Sequence, residues 1–104
     1  GHLGESLPFW LWRADRVLTR DGNLKKPFRK YFLDHFYIST SGNFSVPALT
    51  CSMMEVGADR ILFAVDWPMQ TNVEAMNFIK EAPLSDDDRE KIMSLNAARI
   101  FKIV

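Results

Sequence analysis

The chain has 104 residues, 47% of them apolar and 25% charged, with 13 Lys and Arg balanced by 13 Asp and Glu. This is the mixture of a folded domain rather than a disordered tail, and a formal charge of zero lacks the clustered basic excess that a nucleic-acid partner demands. The longest uninterrupted apolar run, Ile61 to Val65, falls far short of the ~20 residues that span a bilayer, so no membrane partner is expected either.

The single Cys51 excludes a disulfide within the chain and any cysteine zinc cluster, and nothing in the opening residues reads as a secretory leader. A reducing, cytoplasmic setting is the expectation. Length limits architecture as well: one small domain fits, whereas a complete eightfold α/β barrel takes ~250 residues.

In chain order, residues 1–8 carry two glycines and a proline and read as a loop. Leu11, Ala14 and Leu18 then recur at helical spacing, with Pro8 near the first turn. Asp21-Gly22-Asn23 is a turn, and Pro27 opens a second helix that carries Phe28, Tyr31, Phe32 and His35. Phe36 to Thr40, aromatic and β-branched, predicts a strand that stops at the Ser41-Gly42-Asn43 loop. Val46, Leu49, Met53 and Val56 form one helix face closed by Gly57, and Arg60 to Val65 is a second strand, apolar on both faces. Asn72 is the expected cap of a helix bearing Val73, Met76 and Ile79, ended by Pro83. Ser85 with Asp88 resembles a capping box for a last helix that turns Ile92, Leu95, Ala97, Ile100 and Phe101 inward.

The strand-helix-strand order forms a βαβ unit, whose strands pair in parallel through a right-handed crossover. Two strands are too few to close a layer. Further strands must come from elsewhere, and without them the strand edges are expected to expose unpaired backbone groups.

Chemistry is expected at the carboxyl edge of the strands. Asp66 stands there, after five apolar residues. A half-buried carboxylate needs a cation, a donor or a metal, so Asp66 is either a metal ligand and proton-transfer group or, more plainly, a helix cap or ion-pair partner. His2 and Glu5 are three residues apart, a spacing at which a carboxylate can hold an imidazole in one tautomer for acid-base work; a histidine so near the terminus also fits the remnant of an affinity tag. Arg13 follows Trp10 and Trp12 and reads as a carboxylate clamp stacked on an indole, or as a surface arginine lying over those rings. His35 reads as a helix-end or core histidine, and Cys51, Met53 and Met54 as packing. The Ser41-Gly42-Asn43 loop lacks the spacing of a phosphate-binding loop, so no organic cofactor is expected.

Four ordered motifs now join up: Gly1-His2-Leu3-Gly4-Glu5-Ser6-Leu7-Pro8-Phe9-Trp10-Leu11-Trp12-Arg13, Phe36 to Gly42, Val56 to Pro68, and Asn96-Ala97-Ala98-Arg99-Ile100-Phe101. Together they resemble the C-terminal part of the amidohydrolase-superfamily decarboxylases that act on hydroxybenzoates, such as γ-resorcylate and 2,3-dihydroxybenzoate decarboxylases. The resemblance implies an α/β fold: the C-terminal part of a metal-dependent (β/α)8 TIM barrel, with the end of unit six and units seven and eight in one partial domain, 1–104. It further implies that Asp66 is a metal ligand and proton donor, and that His2, oriented by Glu5, polarises the substrate or relays protons. Arg13 would bind the substrate carboxylate, while Trp67 and Trp10 would exclude water.

The implied cofactor is a divalent zinc or manganese ion, and the implied substrate a small aromatic carboxylic acid. The implied partners are further copies in a dimer or tetramer, or the remaining part of the barrel. The family's ligands from the first and fifth strands are absent from these residues, so the isolated chain is expected to be inactive. A hydrolase of the same superfamily and a non-catalytic scaffold are the competing readings.

Overall fold

Pro8 sits in the first turn of the first helix, α1 (Leu7–Asp21), where its missing N–H leaves no bond unmade. This computed structural model describes residues 1–103. Leu11 and Ala14 of α1 turn inward, whereas Leu18 stays half-exposed, and the Gly22 N–H closes the helix on the Leu18 carbonyl. Pro27 precedes α2 (Phe28–His35), which buries Phe32 and leaves His35 exposed at its end. Asp15 accepts the Arg29 N–H at 2.8 Å, and the Arg29 guanidinium pairs with Glu55 at 2.6 Å, so one arginine ties α1, α2 and α3 (Val46–Val56) together.

Helix α3 keeps its expected bounds, with Ser45 accepting the Ala48 N–H at one end and Gly57, φ 82°, at the other. Helix α4 (Asn72–Glu81) differs by one residue at its start. Thr71, not Asn72, is the cap, because Glu74 lies three residues after Thr71 and completes a reciprocal capping box. Val73, expected inside, points to solvent from the first turn, whereas Ile79 is buried as expected, together with Ala75 and Phe78.

The last helical stretch is not uniform: α5 (Asp86–Glu90) widens into a π turn, Lys91–Leu95, and resumes as α6 (Asn96–Phe101). Ile92 is buried as expected, but Leu95 and Phe101 are exposed and Asn96 takes the inner position. The π turn displaces the inward face by a fraction of a turn, which a regular 3.6-residue count does not foresee.

The two strands, β1 (Ile38–Ser39) and β2 (Ile61–Leu62), pair in parallel with Ile38 opposite Ile61 and Ser39 opposite Leu62. Each is shorter than its apolar run suggests. After the Thr40 N–H donates to the Leu62 carbonyl at 2.9 Å, the Thr40 hydroxyl takes the next rung, donating to the Ala64 carbonyl at 2.8 Å and accepting the Ala64 N–H at 3.0 Å. Arg60, expected in the strand, belongs to a 3-10 turn, Ala58–Arg60.

The far edge of β2, expected to stand unpaired, is covered. Asn96 donates to the Ile61 carbonyl at 2.8 Å, and the Phe63 N–H donates to the Ile92 carbonyl at 2.9 Å. The core gathers around this strand pair, with Leu3, Ile38, Leu49, Ile61, Ile79 and Ile92 all buried.

Candidate active site

The opening residues, expected as a loop, make a left-handed turn. His2, Leu3, Gly4 and Glu5 have φ values of 50°, 56°, 74° and 54°, and the turn closes through Gly4 N–H to Gly1 O and Glu5 N–H to His2 O. A left-handed conformation costs about 1–2 kcal/mol for each residue with a Cβ. Burial of the Leu3 side chain, worth about 1.5–3 kcal/mol, offsets part of that cost and pins the turn to the core. His2 is thereby held at the carboxyl edge of β1.

There the His2 Nδ1 donates to the Ser41 carbonyl at 2.5 Å. A carbonyl only accepts, so Nδ1 carries a proton and Nε2 is the ring atom left to face a substrate or a metal. The Asn43 amide donates to the His2 carbonyl at 3.5 Å, which joins the same loop to the backbone of the turn.

Asp66 reaches this place from β2. Because the strands are parallel, their ends share one edge, and the Gly42 N–H donates to the Val65 carbonyl at 3.4 Å. Asp66 itself is half-buried, with φ 78°, a conformation that few residues with a side chain adopt. A turn follows, in which the Gln70 N–H donates to the Asp66 carbonyl and the Trp67–Pro68 peptide is cis.

The two side chains converge on the space over Gly42. A Cβ built there would overlap His2 Nδ1 and would stand 2.9 Å from Asp66 Oδ2, so imidazole and carboxylate flank the space of one missing methyl group. Backbone strain in a folded protein collects where function over-determines the structure, and here it collects on both partners.

The remaining candidates are placed differently. Glu5 is exposed and its carboxylate makes no hydrogen bond to the His2 imidazole; it lines a groove of about 510 Å³ with Pro8, Phe9 and Cys51, between α1 and α3. The imidazole is therefore oriented by a backbone carbonyl rather than by the carboxylate that sequence spacing suggested. Arg13 and Trp10 line a second groove whose walls all come from α1, of about 270 Å³. It is Arg16, not Arg13, that lies over the Trp12 ring, at 5.5 Å. Trp67 adjoins Asp66 and is 73% exposed. Thr40, Ser41 and Gly42, which sequence reasoning left as a strand end and a loop, touch both members of the central pair or the strand that carries Asp66. The only signal of this in the sequence is a glycine just after a strand.

To a cation these residues offer one carboxylate and one imidazole. Among the described residues no three His, Cys, Asp or Glu side chains gather into a metal cluster. Divalent ions held by protein take more ligands than two, so Asp66 and His2 can supply only part of such a set. No helix among the described residues is long and apolar enough to cross a membrane.

A parallel βαβ unit with an acid and an imidazole at its carboxyl edge defines an α/β protein of the kind that builds active sites from strand ends. The chain belongs to the amidohydrolase family, whose profile matches residues 28–103. Asp66 lies inside that match, and His2, Glu5 and Arg13 precede it.

Over 99% of its length the chain is 40% identical to the γ-resorcylate decarboxylase of a Rhizobium species. All of it superposes on the 5-carboxyvanillate decarboxylase of Sphingomonas paucimobilis, with 40% identity and a TM-score of 0.91, covering 33% of that protein. The dihydroxybenzoic acid decarboxylase of a Polaromonas species, solved with manganese and the inhibitor 2-nitroresorcinol, matches 99% of the chain at 38% identity and a TM-score of 0.91, with 32% of that protein covered. The chain spans about a third, 33%, of the length of the curated relatives it matches. These neighbours are amidohydrolase-superfamily barrel decarboxylases, and the chain has the fold of one portion of them.

Proposed function

We propose that residues 1–104 are the end of the sixth unit and the seventh and eighth units of a (β/α)8 barrel, one partial domain of a metal-dependent enzyme that decarboxylates hydroxybenzoate-type acids without oxidation. The observation that carries this reading is the convergence of the His2 imidazole and the Asp66 carboxylate on the space over Gly42, in a chain aligned along nearly its whole length with such decarboxylases.

When bound, a divalent manganese or zinc ion neutralises the negative charge of the substrate carboxylate and the neighbouring phenolate. Asp66, which also supplies one ligand to that ion, delivers a proton to the ring carbon that bears the carboxylate. A C–H bond forms and the ring loses aromaticity. The C–C bond to the carboxylate then breaks, its electron pair returns to the ring, CO₂ leaves, and Asp66 recovers its proton from water. His2, held through Nδ1, offers Nε2 to polarise the substrate or relay that proton. Glu5, on the turn that carries His2 but facing the groove between α1 and α3, is assigned no proton-transfer step.

Arg13 and Trp10, which share a groove on α1, are assigned to the carboxylate and the ring of the substrate, and Trp67 to a rim that excludes water. The exposed Phe9 and Trp12 support assembly into a dimer or tetramer, and the free Cys51 supports a cytoplasmic setting.

The test is CO₂ release from 2,6-dihydroxybenzoate by the whole manganese-loaded protein. Release supports the reading. Hydrolysis of a lactone or amide without CO₂ release overturns it in favour of a hydrolase, and a protein that takes up no metal and turns over neither substrate is a scaffold.

A further inference from the structure

We propose that Gly42 is a positioning residue: the absence of a side chain there is what lets the His2 imidazole and the Asp66 carboxylate close on one substrate position. The inference rests on the reading of those two groups as the catalytic pair.

Three successive residues pin the two partners. The Thr40 hydroxyl replaces a backbone rung and holds Ala64, two residues before Asp66. The Ser41 carbonyl holds His2 Nδ1, and the Gly42 N–H holds the Val65 carbonyl, one residue before Asp66. The loop is closed again by Asn43, whose N–H donates to the Thr40 carbonyl at 3.1 Å and whose amide reaches His2.

With the backbone tied on every side, a methyl group at position 42 cannot be accommodated by moving the loop. The atoms in its way are His2 Nδ1, His2 Cε1 at 2.5 Å and Asp66 Oδ2 at 2.9 Å, so the side chains must yield. Displacing reacting groups by about 1 Å is enough to cost on the order of 10²-fold in rate.

Gly57 separates this effect from backbone strain. Its φ of 82° and ψ of 159° lie in a region almost confined to glycine, so alanine bears a backbone cost there too, yet a Cβ at Gly57 meets nothing within 4 Å. An alanine at either position bears the cost of a positive φ, and only the one at Gly42 collides with the pair.

The experiment compares Gly42→Ala and Gly57→Ala in the whole protein, with a second comparison of Gly42→Ala on a His2→Ala background. Both single variants are expected to melt at lower temperature. Gly42→Ala is expected to lose about 10²-fold in kcat with a much smaller change in KM, while Gly57→Ala stays within about twofold of the parent. On the His2→Ala background the melting-temperature loss caused by Gly42→Ala should shrink, because two of the atoms it strikes are gone. If Gly42→Ala does not fold alone, recovery of folding in the double variant supports the same conclusion and its absence contradicts it. Equal melting losses on both backgrounds, or a kcat for Gly42→Ala no lower than that of Gly57→Ala, overturn the inference. A parent protein that releases no CO₂ from hydroxybenzoates overturns the reading of the site instead, and the coupling in stability still decides whether Gly42 sets the spacing of the pair.

Discussion

At the carboxyl edge of the strand pair, His2, Leu3, Gly4, Glu5, Gly42 and Asp66 all have positive φ; in the layer of α3 to α6 only Gly57 and Lys102 do, each at a helix end. Apart from the π turn at Lys91–Leu95, the helical layer follows local rules. Ser45, Thr71 and Ser85 cap its helices, and the Arg89 guanidinium collects the carbonyls of Ile79, Ala82 and Leu84 where α4 ends. The edge violates those rules and is held in place by burial of Leu3 and by the hydrogen bonds of Thr40 to Asn43. The contrast teaches that stability and chemistry are kept apart: one region is locally consistent, and the other is forced into shape by its neighbours.

The largest effect that sharpens this comparison belongs to the edge. Asp66→Asn in the whole protein is expected to lower decarboxylation by ~10²–10⁴-fold, the range of an acid-base contribution, while thermal melting shifts little. Near-parent turnover with a full complement of metal would break the comparison.

In the helical region the largest effect falls on Asn96, which is fully buried and donates to the carbonyls of Ala58 at 2.6 Å and Ile61 at 2.8 Å. Asn96→Ala leaves the Ile61 carbonyl without its donor, while the Ala58 carbonyl keeps the Ile61 N–H, and urea denaturation should show a loss of about 2 kcal/mol. Thr71→Ala, which removes the capping box of α4, should cost about 1 kcal/mol and leave turnover unchanged.

The smallest effect is a pH dependence far from the edge. Lys30 and Lys26 lower the Asp34 carboxyl from 3.8 to about 2. A carboxyl lowered on folding adds stability that is fully present above its unfolded value and is lost as pH falls towards its folded one, here between about pH 4 and pH 2. Asp34→Asn should flatten that portion of a stability profile only slightly, since the pair is open to solvent.

The same contrast explains how much could be read in the sequence. Helix α3 and its glycine stop were legible because cap, periodicity and terminator agree. So was the parallel pairing, because a helix between two apolar runs permits little else. The left-handed turn at His2 was not legible, since Leu3 and Glu5 adopt a conformation that no local preference favours and that tertiary packing imposes.

The strand lengths were overstated for a related reason. Apolar runs mark burial, whereas the ladder ends where the Thr40 side chain takes over a rung. At the site, Asp66 was placed by its position after a strand. The orientation of His2 was assigned to Glu5 by spacing and belongs to Ser41, a residue distant in sequence. Gly42 carries no chemistry in its side chain, so its importance exists only in three dimensions.

The most direct test of the account is the position of manganese in a crystal of the whole protein, located by its anomalous scattering. The account predicts a single peak at ligand distance, about 2.1 Å, from an Asp66 carboxylate oxygen, with the His2 imidazole facing the same pocket across Gly42. A peak away from Asp66, with the imidazole turned out of that pocket, would contradict it.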